Sequence, residues 1–214
     1  MAQFWDGRAA TLAAQAKGPI LNPIEMGMPD EKSVIEKLNS ISEYKELFDK
    51  AFPGSKEKIT YDNLANAIAA FERTLKTNDR LDDFLKGNDK ALTDAELKGL
   101  EIFLNKGCVS CHNGPLLGGD KYMKLGLVNP YENQKDLGRF EVTKKEEDKM
   151  VFKVPSLRNI ALTAPYFHDG SKATLKETVK AMGKLQLGVD IPENEVDSIV
   201  AFLNTLSDKS ITKK

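Results

Sequence analysis

Cys108-Val109-Ser110-Cys111-His112 is the stretch on which the reading of this chain turns. Two thiols two residues apart, followed at once by an imidazole, is the order that covalent attachment of a c-type haem requires. The porphyrin imposes that spacing: one turn of backbone reaches both vinyl groups, and the adjacent His112 comes under the iron from the same side. A redox Cys-x-x-Cys or half of a zinc site would share the cysteine spacing. However, the 214 residues hold only two cysteines and two histidines, and no second cysteine pair exists to complete a zinc site. A disulfide between positions this close would staple nothing distant. One covalently bound haem is therefore expected, on Cys108 and Cys111, with His112 on the iron.

The flanking sequence places this motif among helices. Thr93 with Glu96 is a capping box ahead of Leu97, Leu100, Phe103 and Leu104, and Gly107 stands where a helix C-terminus favours glycine. Thr174 with Glu177 repeats the box and opens a short helix expected to finish around Met182 and Gly183. Pro192 suits a first helical position, and Val196, Ile199, Val200, Leu203 and Leu206 make an apolar stripe behind it. Helix, haem motif, methionine and closing helix follow the order of a small c-type cytochrome. That order makes Met182 the leading second axial ligand, ahead of His168, Met123 and Met150. A thioether there would favour ferrous iron and suit an electron acceptor; a methionine packed in the core is the alternative.

Between these elements Gly114, Gly118, Gly119 and Gly126 mark loop. Phe140–Thr143 and Met150–Val154, flanking the charged run 144–149, predict a small exposed β-hairpin. Upstream, Leu64, Ile68, Phe71 and Leu75 recur at helical spacing after Thr60, predicting about four turns that end near Lys76. The polar stretch 80–90 suggests a domain boundary. The expected fold is mainly all-α: a class I cytochrome c-like haem domain with a small β-hairpin at 86–214, preceded by a second helical region at 1–85.

Charge and hydropathy exclude other classes. Lys and Arg total 31 against 32 Asp and Glu, so no basic field invites nucleic acid. Mean hydropathy is −0.40 and no run of about 18 apolar residues suggests a membrane span. Residues 1–18 lack the apolar core of a secretory signal, so an export signal is expected to be removed or foreign to this chain.

Further motifs carry a family resemblance: Phe-Trp-Asp-Gly-Arg at 4–8, Asn-Pro-Ile-Glu-Met-Gly at 22–27, Lys-Val-Pro-Ser-Leu-Arg-Asn at 153–159, Ala-Pro-Tyr-Phe-His-Asp-Gly at 164–170, and 182–188. With the haem motif, they make the chain resemble the C-terminal two thirds of a bacterial di-haem cytochrome c peroxidase. The resemblance implies reduction of hydrogen peroxide to water by two haem c groups. Electrons would come from a small c-type cytochrome or blue-copper protein. Only one Cys-x-x-Cys-His is present, so residues 1–85 would be the remainder of the peroxidatic domain, whose own haem motif would lie upstream of Met1. Alone, with both faces of its iron blocked, the chain would then be a poor peroxidase. By motif, Glu25 would be the acid–base group with Gln15 as its polar neighbour. Trp5 would lie between the haems or anchor a domain interface. Thr163 and Pro165 would offer backbone carbonyls to calcium. His168 would serve a haem propionate, an interface, or only its loop. A homodimer and a periplasmic location are further expectations. A stand-alone monohaem electron carrier is the alternative reading. The related tryptophan-modifying di-haem oxidases carry a tyrosine where this chain has Met182.

Overall fold

Short polar side chains set most of the helix starts. Thr11, Asp30 and Thr60 each accept a hydrogen bond from the backbone N–H three residues on, satisfying donors that a first turn leaves unpaired. In the computed structural model, which describes residues 2–212, they open α1 (Leu12–Leu21), α2 (Glu31–Asn39) and α4 (Tyr61–Glu72); α3 (Ser42–Ala51) follows Ile41 without a side-chain cap. These helices form a compact unit, residues 1–76. Ile20, Val34 and Tyr61 are buried at its centre, with Leu21, Met28, Ile35, Leu38, Leu64 and Ile68 around them. The Tyr61 hydroxyl donates to the Lys17 carbonyl at 2.7 Å, tying α4 to α1. α4 ends at Glu72, short of the expected Lys76, and Phe71 and Leu75 are exposed rather than buried. Its buried face runs instead through Tyr61, Ala65 and Ala69, where small side chains let α1 approach.

The second unit spans residues 77–214. It contains α5 (Arg80–Leu85), α6 (Asp94–Asn105), β1 (Tyr122–Lys124), α7 (Phe140–Thr143), β2 (Val151–Lys153), α8 (Leu175–Met182), α9 (Glu193–Asn204) and α10 (Lys209–Thr212). The division falls nine residues before the expected boundary at 85/86 because α5 belongs to this unit. Leu81 lies in its main core, and Arg80 makes a bidentate pair with Glu96 at 2.7 and 2.6 Å. The expected hairpin across 140–154 is absent: residues 140–143 are helical, stopped by Lys144 in the left-handed region at φ 57°. β2 pairs antiparallel with β1, Tyr122 opposite Lys153 and Met123 opposite Phe152. The strand-like pattern at 151–153 is present as β2, and its partner lies upstream.

Both expected capping boxes are present, Thr93 with Glu96 and Thr174 with Glu177. α6 and α9 cross at the centre of the core, where Val196, Phe202 and Leu206 are completely buried and the Phe103 and Phe202 rings lie 5.3 Å apart. Leu104, expected on the apolar stripe, is exposed. The crossing depends on Gly99: a Cβ there would stand 1.9 Å from the Ser198 carbonyl oxygen and 2.9 Å from Phe202 Cβ. Gly99→Ala should therefore destabilise this unit by about 1–3 kcal/mol through overpacking, read as a lower urea midpoint. Gly54→Ala, with nothing within 4 Å of its added carbon, should leave the midpoint nearly unchanged.

Candidate haem site

α6 delivers the chain to the motif. Gly107, at φ 82°, turns out of the helix, and a single 3-10 turn follows over Cys108–Ser110. The Ser110 hydroxyl closes the turn on the Gly107 carbonyl (2.6 Å), while the Cys111 and His112 amides both donate to the Cys108 carbonyl (3.3 and 3.0 Å). This compact turn presents two free, half-buried thiols and an imidazole within five residues. Cys108 and Val109 pack against the main core, and burial pushes the Cys108 thiol above its ordinary pKa.

His112 is held by backbone. Burial lowers its pKa, while hydrogen bonding to the Leu117 and Pro155 carbonyls acts in the opposite sense. Nδ1 lies 3.3 Å from the Leu117 oxygen, an arrangement that places the proton on Nδ1 and leaves the Nε2 lone pair for a metal. The loop after the motif lies along residues 154–158. Gly119 N–H donates to the Val154 carbonyl (2.8 Å), and Leu157 N–H and the Ser156 hydroxyl both donate to the Leu116 carbonyl (3.2 and 2.9 Å). Gly118, at φ 128°, permits the approach; a Cβ there would stand 2.2 Å from the Pro155 oxygen.

Met182 ends α8 and packs on a second apolar cluster, formed by Leu125, Tyr131, Met150 and Phe152. After it the chain widens into a π turn, Gly183–Leu187, a form frequent at functional positions. Gln186 fixes this turn: its side-chain oxygen accepts from Gly126 and Leu127 (2.8 and 3.0 Å), and its amide donates to Lys124 (3.0 Å). Met150 is buried in the same cluster, and Met123 is half-buried in β1.

His168 stacks on Phe152, with ring centroids 4.1 Å apart. Its Nε2 and the Tyr122 hydroxyl are buried without a hydrogen-bond partner among the described residues. Buried donors are rarely left so. Both suit carboxylate acceptors, which a haem carries as propionates. With two unpaired thiols, an imidazole set on a carbonyl, and two buried polar atoms without partners that suit propionates, the residues fit haem c.

The remaining expected site residues are placed separately. In the first unit, Glu25 is exposed and accepts from Asn22 Nδ2 at 2.7 Å; no hydrogen bond joins it to Gln15, which lies half-buried in α1. Trp5 is exposed in the turn that Gln3 closes on Ala9. In the second unit, Thr163 ends a 3-10 turn and precedes the cis Ala164–Pro165 peptide. Asp79 and Tyr122 lie in no sequence motif, whereas Arg158 and Gln186 lie within the 153–159 and 182–188 stretches, where nothing local in the sequence gives either a role of its own.

The description "di-haem cytochrome c peroxidase" belongs to a family model that matches residues 1–90. The cytochrome c551 peroxidase of Nitrosomonas europaea is 50% identical over 210 residues, 97% of this chain and 62% of its own length. That of Pseudomonas aeruginosa is 49% identical over 213 residues, 97% of this chain and 61% of its own length. The chain thus spans about three fifths of these relatives. A crystal structure of a MauG-like protein associated with microbial copper homeostasis superposes with a TM-score of 0.87 at 28% identity, covering 98% of this chain and 73% of that one. The chain belongs to the di-haem cytochrome c peroxidase family.

Asp169 braces the loop that carries His168. It accepts from Tyr131 Oη and Asn133 Nδ2, both at 2.9 Å, and from the Ser171 amide at 3.1 Å. Burial works to raise its pKa, but the hydrogen bonds from Asn133, Ser171 and Tyr131 outweigh it and bring the carboxyl from 3.8 to about 2. A depressed folded-state pKa gives stability that is complete above 3.8 and lost as pH falls toward 2. Asp169→Asn should therefore lower the urea midpoint modestly at neutral pH, and the difference from the parent should close as acid is added.

Proposed function

We propose that the chain supplies the electron-accepting haem c unit of a peroxidase that reduces hydrogen peroxide to water. The observation that carries this reading is the Cys108–His112 turn: two unpaired thiols followed by an imidazole whose Nδ1 is already engaged by the Leu117 carbonyl. The relatives' names supply the peroxidase part of it. Each peroxide takes up two electrons and two protons and yields two waters. Bound haem supplies a one-electron iron couple.

The chain's own residues then divide the work. Cys108 and Cys111 would hold the porphyrin through thioethers, His112 would offer Nε2 to the iron, and Met182 would offer its sulfur as the second ligand. Glu25 moves the proton between the peroxide oxygens, Gln15 is a polar group of the same site, and Trp5 assists transfer between two haems. Thr163 and Pro165 give carbonyl oxygens to calcium. Electrons come from a small c-type cytochrome or a blue-copper protein, and the protein acts as a homodimer. Because attachment to Cys-x-x-Cys-His takes place outside the bacterial cytoplasm, the compartment is the periplasm. Recovery of haem-loaded protein only from the cytoplasm would contradict that placement.

Two measurements test the ligand set. Cys108→Ala and Cys111→Ala together should abolish haem that survives denaturation and acid extraction. In oxidised protein, a thioether-to-iron charge-transfer band should appear in the far red and vanish in Met182→Ala, with a fall in potential as the soft ligand is lost. Met150→Leu and Met123→Leu should keep the band. Its loss in either of those, or its survival in Met182→Ala, identifies a different ligand.

A further inference from the structure

Arg158 and Asp79 form the most deeply buried of the described ion pairs, with side-chain exposures of 9% and 0%. Burying two charges is costly, and well-packed apolar side chains often serve stability equally well. Stability alone is a poor account of the pair. Its hydrogen bonds suggest another role. One guanidinium nitrogen bonds Asp79, and a second meets Asp82 at 3.0 Å. That second nitrogen and Nε both donate to the Pro115 carbonyl, at 2.9 and 3.0 Å. Asp79 and Asp82 are themselves locked together as the capping box of α5. A carbonyl of the loop after the haem motif is thereby tied to a fixed, buried anion.

The neighbouring contacts extend the grip. Leu116 is held by Ser156 and Leu157, and Gly119 is held by Val154. Leu117 lies between these fixed points, and its carbonyl is the one 3.3 Å from His112 Nδ1. At that length a small displacement would break the hydrogen bond. We propose that the Asp79–Arg158 pair is a positioning device for His112. By clamping the Pro115 carbonyl it keeps the Leu117 carbonyl in line with Nδ1, which fixes the tautomer and rotation of the ring and sets how strongly Nε2 donates to iron. This rests on the haem reading given above.

The test uses the haem-loaded full chain and three variants: Arg158→Gln, Asp79→Asn and the charge-conserving Arg158→Lys. Two readouts are needed, the reduction potential and the exchange rate of the His112 Nδ1 proton followed by NMR. Without the carbonyl the imidazole is a weaker donor, ferric iron is less favoured, and the potential rises. Direct electrostatics predicts otherwise: removing the positive Arg158 lowers the potential, removing the negative Asp79 raises it, and Arg158→Lys changes little. The expected result is a rise in all three variants, with Nδ1 proton exchange faster by roughly 2- to 10-fold, the net worth of one hydrogen bond. Shifts of opposite sign in Arg158→Gln and Asp79→Asn, an unmoved potential in Arg158→Lys, or unchanged exchange each overturn the proposal. Should the charge-removing variants fail to fold, Arg158→Lys decides the matter by itself. Absence of covalent haem from the parent chain is a different failure, visible before any variant is made, and it removes the haem reading itself.

Discussion

The second unit is organised by the contact between the backbone of α6 and that of α9 at Gly99 and Ser198. No side chain separates the helices there, so Phe103 and Phe202 can close on each other just beyond the crossing. With α6 fixed, Gly107 and the motif turn leave it at a defined place. With α9 fixed, α8 packs against it and the π turn bearing Met182 at its start is set as well. The turn that carries Cys108 and His112 and the turn that Met182 begins are thus both tied to the crossing at Gly99.

A second layer of order is made of carbonyl oxygens. Those of Pro115, Leu116 and Leu117 are each assigned to a different donor: Arg158, the Ser156–Leu157 pair, and the His112 imidazole. Backbone acceptors cannot titrate, and they move only when the chain moves. An imidazole held by such an acceptor keeps its orientation through pH changes that would alter a titratable partner. Asp169 does similar work across the unit, joining the 131–133 loop to the 166–171 loop that holds His168.

What the sequence made legible was local. Thr60, Thr93 and Thr174 announced helix starts because a cap is decided within four residues. The haem motif was legible because porphyrin attachment is itself a short-range constraint. What stayed hidden was settled by distant partners. Residues 151–153 looked like a strand, but their pairing with 122–124 rather than 140–143 depends on where two loops return. Phe71 and Leu75 fit a helical stripe, yet α4 ends at Glu72 and its alanines make the close contact. Arg158 and Asp79 are ordinary charged residues in sequence; only the fold shows them buried together.

Asn159 joins the motif-bearing half of this unit to the segment after α9. It adopts a left-handed backbone at φ 62°, its amide donates to the Leu206 carbonyl (2.8 Å), and its side-chain oxygen accepts from the Asp208 amide (2.7 Å). Asp208 in turn receives the Asn78 amide at 2.8 Å. The latch that seals the unit is therefore supplied by residues synthesised long after Cys108 and Cys111. Closure of the unit is in this sense the last event in its making: a chain cut short before Leu206 would keep both thiols and lose the latch.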